Sequence, residues 1–267
     1  TGNIDLSIGS VVGMSCMISA TLMTKGMNPW LAVCISYISS IFIGILNGKL
    51  ISKAKLPAFI ATLGTMTIAR GIAQIVNNNY NTDSIGAKAE GFRNFFYYGK
   101  TLGLYNTIWI ALVMWLVFNF ILSRTRTGRH IYAVGSNINA ANLSGVNISS
   151  TITKAYLVSA VCSATVGLII TATSGMGTMD AGNGYELYAV ASSVIGGVST
   201  LGGQGILLGT IVGASIWGVL QNGLQFAGAP VAIRNIVIGI IVIISVLLDI
   251  VVRANKNVTK SKSKGKS

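Results

Sequence analysis

The sequence predicts an all-α, polytopic transmembrane helical bundle, and three observations carry that prediction. Charged residues make up only 9% of the 267 residues, against about 25% in a soluble domain, too few to cover a water-facing surface. Apolar runs of roughly 18 to 22 residues recur, the length that crosses a hydrocarbon core, and mean hydropathy is +0.68. The basic residues sit between these runs and in the tail. That placement argues against a nucleic-acid surface despite the formal net charge of +13, because such a surface needs a clustered basic face on a folded soluble element.

Eight apolar segments follow in order, near 6–24, 30–50, 57–76, 104–122, 154–173, 185–200, 206–224 and 231–252. The first and sixth are rich in Gly and Ser and need not be simple straight spans. No connection is long enough for a second soluble domain, so residues 1–252 read as one transmembrane domain with a polar loop at 123–153. Residues 253–267 form a basic tail, expected to be unstructured and drawn to anionic lipid head groups. Cys16, Cys34 and Cys162 fall inside apolar runs without metal-site spacing and read as small buried thiols.

Charge orients the segments. With 123–153 inside and strict alternation, the inside receives Lys49, Lys53, Lys55, Arg124, Arg126, Arg129, Lys154, Arg253 and the tail lysines, 13 in all. The outside receives only Lys25, Lys88, Arg93 and Lys100. Positive residues favour the cytoplasmic side, so the loop and the C-terminus are expected there.

The chain also repeats itself. GILNGKLISKAKLPAFIATLG at 44–64 resembles GVLQNGLQFAGAPVAIRNIVIG at 218–239, with Asn47-Gly48 matching Asn222-Gly223 and Pro57 matching Pro230. TGNIDLSIGS has a weaker echo in AGNGYELYAVASSVIGG, which sets Asp5 near Glu186. Under the alternating topology the two copies run in opposite senses, as in transporters built from inverted repeats. Glycines crowd the second copy, where small residues let transmembrane helices approach closely; Gly209 and Gly213 form a GxxxG.

Little in the chain supports bond-making chemistry. Only six acidic residues exist, His130 is the sole histidine, and no HExxH, nucleophile elbow or P-loop is present. Arg70 falls in the outer half of its span, where it snorkels to the interface, lines a pathway or pairs with an acid. Asp5 and Glu186 each suit a helix cap or a solute contact, and Asp249 is placed to pair with Arg253. The near absence of ionisable residues at mid-membrane depth puts the energy source in another polypeptide. Carboxylates at Asp5 and Glu186, with hydroxyls, amides and an aromatic face at Asn47, Thr62, Thr65, Tyr185 and Asn222, are the candidates for a polar translocation path. Asn47-Gly48 and Asn222-Gly223 equally suit helix C-terminal turns.

Several motifs together carry a resemblance: TGNIDLSIGS at 1–10, LPAFIATLGTMTIARG at 56–71, GRHIYAVGSNINAANLSGVN at 128–147 and GYELYAVASSVIGGVSTLGGQG at 184–205. The chain resembles the permease subunit of ribose-type monosaccharide ATP-binding-cassette importers over nearly its whole length. The resemblance implies about ten spans in the full protein, so the chain reads as lacking about two at its start. It also implies a homodimer in the cytoplasmic membrane of a prokaryote, a docked cytoplasmic ATPase, and an extracytoplasmic sugar-binding protein. The chain itself would hold no cofactor, with ATP and Mg in the partner ATPase.

The loop would carry a coupling helix entering a cleft in that ATPase, on Gly128, Arg129, Gly135, Asn139, Ala140, Ala141, Ser144 and Gly145. Ala140 and Ala141 allow close approach, and Gly135 and Gly145 bound a short helix. Asn139 stands where the family often has an acid, which removes one charge contact. Rival readings are a permease of the same type for nucleosides, amino acids or an autoinducer sugar, an ATP-independent carrier, and a membrane enzyme acting on lipid-linked substrates. The scarcity of His, Asp and Glu counts against the last.

Overall fold

The computed structural model describes the backbone of residues 1–264 and the side chains of residues 1–247. Residues 1–7 lack regular structure and lead into α1 (Ile8–Thr24). Small side chains and methionines dominate α1, and its residues from Gly9 to Thr21 are all buried, as expected of a helix without a polar face. α2 (Pro29–Ser52) starts with Pro29 in its first turn and the Asn28 side chain accepting from the Trp30 amide. The chain then turns through Lys55 at φ +56°, and Pro57 sets the entry to α3 (Ala58–Ile75).

Residues 76–105 form a strap over one end of the helices. It holds the short α4 (Glu90–Arg93), a wide turn at Asn94–Tyr98, and a hairpin of β1 (Lys100–Thr101) and β2 (Leu104–Tyr105). Phe92 and Phe96 are buried in the core. The Thr82 and Ile85 amides donate to the carbonyls of Gly177 and Gly175 at 3.0 and 2.9 Å, and Arg93 Nε donates to the Ala172 carbonyl.

The remaining helices are α5 (Asn106–Arg124), α6 (Arg126–Ser136), α7 (Ile138–Leu143), α8 (Ile148–Ser174), α9 (Tyr185–Ile195), α10 (Leu207–Phe226) and α11 (Val231–Lys264). Among the described residues five helices, α2, α3, α5, α8 and α10, are long and apolar enough to cross a membrane; α1 and the apolar stretch Val231–Leu247 are shorter. The all-α polytopic bundle is therefore what the sequence predicts.

Three details differ. The sixth segment, expected at 185–200, yields only the 11-residue α9, about 16 Å long and half the thickness of a hydrocarbon core. Gly196, Gly197, Gly202, Gly203 and Gly205 follow it, the last four at positive φ, so the glycines break the span. Cys34 is exposed while Cys16 is buried, because an apolar residue on a lipid-facing side needs no protein cover. The last helix continues to Lys264, past the boundary expected at 252, since no proline or glycine stands between 240 and 264. The expected pair of Asp249 and Arg253 lies outside the described side chains.

The chain divides into two compact units, Asn3–Glu186 with Thr1, and Leu187–Ser267 with Gly2. In the first, α8 runs antiparallel to α2 and parallel to α1. A Cβ on Gly44 would lie 2.8 Å from Ala160 Cβ and from the Tyr156 carbonyl; one on Gly48 would lie 2.5 Å from Thr153 Cα. Ser52 and Ser149 hydroxyls bond at 2.8 Å below them. Ser15 Oγ donates to the Ala164 carbonyl, and Ser19 and Thr171 hydroxyls bond at 3.0 Å, tying α1 to α8.

In the second unit, the GxxxG of α10 meets α9 backbone to backbone. Side chains at Gly209 and Gly213 would run into the carbonyls of Gly196 and Ser192. Tyr188 and Trp217 pack beside this contact as tilted rings, with centroids 5.3 Å apart and planes at 37°. The two repeat copies share a local design: a helix with Asn-Gly near its end, a positive-φ residue two before proline (Lys55 or Gly228), then a second helix. Asn47 and Asn222 both lie inside their helices, so neither forms the C-terminal turn that Asn-Gly permits.

Candidate functional site

The loop at 123–153 folds into helices capped by side chains, α6, α7 and the start of α8, rather than an irregular turn. A Cβ on Gly128 would run into the backbone of Leu122, so only glycine lets α6 fold back on the end of α5. Thr125 Oγ1 accepts from the Gly128 amide and caps α6. Asn137, in extended backbone, caps α7 by accepting from the Ala140 amide at 3.0 Å. At the other end Gly145 takes φ +78°. The Val146 amide reaches the Ala141 carbonyl and the Gly145 amide the Asn142 carbonyl, a Schellman closure. Asn147 then caps α8.

Gly145 bounds the short helix as the sequence suggested. Gly135 does not, because it lies within α6 and the break falls at Asn137. The asparagine amide, not a glycine, starts α7. Of the two alanines, Ala141 is buried and Ala140 is exposed. Arg129, Asn139 and Ser144 are exposed too, and Leu143 is 89% exposed at the tip with Ile138 at 48%. The inward face is apolar: Ala141 and Val134 pack with Ile51, Ala61, Ile152 and Tyr156. α7 thus packs on α6 and the start of α8, and through Ala141 it joins a cluster that takes in the facing ends of α2 and α3.

Further into the bundle three of the path candidates come together. Thr65 Oγ1 donates to Asn47 Oδ1 at 2.7 Å, Asn47 Nδ2 donates to Ser7 Oγ at 3.0 Å, and Ser7 Oγ donates to Asp5 Oδ1 at 2.6 Å. Asp5 Oδ2 accepts from Ser159 Oγ at 2.6 Å. Asp5 also accepts from the Ser7 amide at the entry to α1, so it serves the helix start and the network at once. Thr65 and Ser159 stand near the middles of α3 and α8, so Asp5 and Ser7, at the irregular entry to α1, lie level with mid-helix residues of the first unit. Irregular backbone at that depth is tolerated where it is buried in protein or lines a cavity.

The other candidates are elsewhere. Thr62 is buried, its hydroxyl bonded to the Ala58 carbonyl. Glu186 lies toward the strap end beside Gly9, and Tyr185 is exposed. Asn222 is exposed on α10 in the second unit, unlike its buried counterpart Asn47. Arg70 neither snorkels freely nor pairs with an acid through Nη1, which donates to the carbonyls of Met179 and Ala181 at 2.7 and 3.1 Å. Sequence reasoning missed Ser7 and Ser159, whose roles depend on contacts distant in the chain.

The network yields a stability prediction. Asn47 is 1% exposed, and Asn47→Leu removes two buried hydrogen bonds, a cost of about 2 kcal/mol. Asn47→Asp sets a carboxylate near Asp5 and costs about 3 kcal/mol or more. Thermal unfolding in mild detergent is expected to rank native above the leucine variant, and the leucine variant above the aspartate one. Equal midpoints for all three would remove the network from the list of fold determinants.

Comparison with known proteins agrees with this architecture. Residues 1–246 match a family described as branched-chain amino acid transport system / permease component. The D-allose transport system permease protein of Escherichia coli K12 is 35% identical over 247 residues, 92% of this chain and 74% of the relative. The ribose import permease protein of the same strain is 33% identical over 249 residues, 93% and 78% of the two chains. That of Bacillus subtilis 168 is 34% identical over 252 residues, 93% and 77%. No solved structure matches the chain. With the match spanning both units and the capped loop between its helices, the chain belongs to this family of multi-pass transport permeases.

Proposed function

We propose that the chain is the membrane-spanning subunit of an ATP-driven importer for a monosaccharide, ribose or a similar sugar, in the cytoplasmic membrane of a prokaryote. The observation that carries the reading is α7: capped at both ends, exposed on one face, and joined through Ala141 to an apolar cluster at the ends of α2, α3 and α8. A cytoplasmic ATPase takes Arg129, Asn139, Ala140, Leu143 and Ser144 into a cleft, and its movement passes through α7 to α2, α3 and α8. ATP and Mg belong to that partner, while this subunit supplies the path and no catalysis. The sugar class is supported by relatives named for ribose, allose, fructose and galactose import.

In this reading two copies of the subunit pair, the repeats run in opposite senses across the membrane, and the loop and C-terminus face the cytoplasm. An extracytoplasmic binding protein delivers the sugar to the strap end. The Asp5–Ser7–Asn47–Thr65 network, with Thr62 beside it, serves as the gate that this reading places on the path.

The test is made on the native subunit. Tagged in its host membrane and extracted in mild detergent, it is expected to bring down a P-loop ATPase. The purified assembly in vesicles is expected to take up D-ribose only when ATP is supplied. Uptake without ATP and without an ATPase would replace this reading with a secondary carrier. ATP-dependent uptake of a nucleoside but not of sugars would keep the assembly and change the solute.

A further inference from the structure

A cavity of about 230 Å³ opens toward the strap end of the first unit, between α1, α3 and the segment that leads into α9. Its polar lining is Ser10, Thr67, Arg70, Gln74, Asn183 and Glu186. Polar and charged groups on a membrane-spanning helix such as α3 are expensive unless they serve a pathway. None of them belongs to the coupling loop or to the Asn47 network, and Gln74, Asn183 and Thr67 are exposed.

The cavity is built rather than incidental. Arg70 is fixed through Nη1 to the Met179 and Ala181 carbonyls. Its guanidinium rests against α1 where Gly13 leaves room: a Cβ there would come within 2.8 Å of Nη1. Four residues earlier, a Cβ on Gly9 would collide with Glu186 Oε2 and the Gly182 carbonyl. Two glycines one turn apart on α1 thus seat one cation and one anion of the same cavity. The floor is closed by Ser10, 3% exposed, and one turn deeper Ser7 joins the Asn47 network.

We propose that this cavity is a solute-binding site for a neutral polyhydroxylated ring, where cargo waits before the mid-depth network opens. The opposite charges of Arg70 and Glu186 leave no net attraction for an ion. Together with two amides and two hydroxyls they offer donors and acceptors in alternation, which suits ring hydroxyls. By volume the site holds on the order of seven waters, below the range of drug-sized pockets and matched to a single sugar ring. The site lacks an aromatic platform, which suits a transit position that must release its cargo. This inference rests on the importer reading and adds a location to it.

The experiment uses the full chain in membrane vesicles of right-side-out orientation, with Cys34→Ser as background and Gln74→Cys as reporter. A membrane-impermeant maleimide is expected to label the reporter, and saturating D-ribose is expected to slow labelling at least threefold. Sodium chloride at equal osmolarity should leave the rate unchanged. Adding Asn183→Leu, a change on an exposed side chain, should remove the ribose protection without slowing labelling. No labelling, or labelling indifferent to ribose, overturns the site. Protection by salt as well as by ribose also overturns it. ATP-driven uptake measured on the same preparation separates the two readings. Uptake without protection removes only the waiting site, whereas loss of ATP dependence removes the importer.

Discussion

Leu143→Asp and Ala140→Arg are expected to leave the subunit folded and to abolish ATP-driven uptake, with transport falling about 100-fold or to background. Both side chains point away from the bundle, Leu143 with 89% of its surface exposed, so neither change disturbs the contacts that seat α7. What they alter is the face offered to the ATPase. Burying a charge without a partner in a protein cleft costs several kcal/mol, and each 1.4 kcal/mol weakens association tenfold. Thermal unfolding of both variants should match the native subunit, while co-purified ATPase disappears. Gly135→Pro acts differently. It removes a donor inside α6 and breaks the lever itself, so loss of the ATPase should come with a lowered unfolding midpoint. If the two surface variants keep full uptake, α7 is not the coupling element.

How far this mechanism could be read from the sequence depends on the range of the interactions. Helix positions were legible because each apolar run satisfies its own backbone, and the structure places helices in seven of the eight segments at or near span length. Gly145 and the repeated proline turn were legible because their backbone demands are local. Asn137 as the cap of α7 was within reach of the same reasoning, since Asn three residues before the capped amide is a local signal. The half-length α9 was foreshadowed only by glycine content, because breaking a helix depends on where the freed carbonyls find partners. Asn47 marks the limit. Its residue type suggested polar contact, but its partners Ser7 and Thr65 lie 40 and 18 residues away, and nothing local pairs them.

The glycines of the two repeat copies give the sharpest separation between pattern and packing. Gly44 and Gly48 match Gly218 and Gly223 in sequence, yet a Cβ on either of the first pair would strike α8, while among the described residues a Cβ on Gly218 or Gly223 would meet nothing within 4 Å outside its own stretch of helix. Gly48→Ala drives a methyl toward Thr153 Cα, a backbone atom that cannot rotate aside, and the helices must separate. Overpacking of this kind costs about 1–3 kcal/mol where side chains adjust, and more where only backbone can move. The separation also weakens the Ser52–Ser149 bond that closes the same interface. Gly48→Ala is therefore expected to destabilise by about 3 kcal/mol, and Gly48→Leu to prevent recovery of folded subunit from detergent. Gly218→Ala and Gly223→Ala carry the opposite sign, since replacing an unobstructed helical glycine by alanine stabilises by about 0.5–1 kcal/mol. Thermal midpoints of the four alanine variants decide the matter. Losses at 44 and 48 with gains at 218 and 223 mean that close approach of α2 to α8 sets the first-copy glycines. Equal losses at all four mean that the second copy's glycines face a partner surface, and the pairing of two subunits is where that surface would lie.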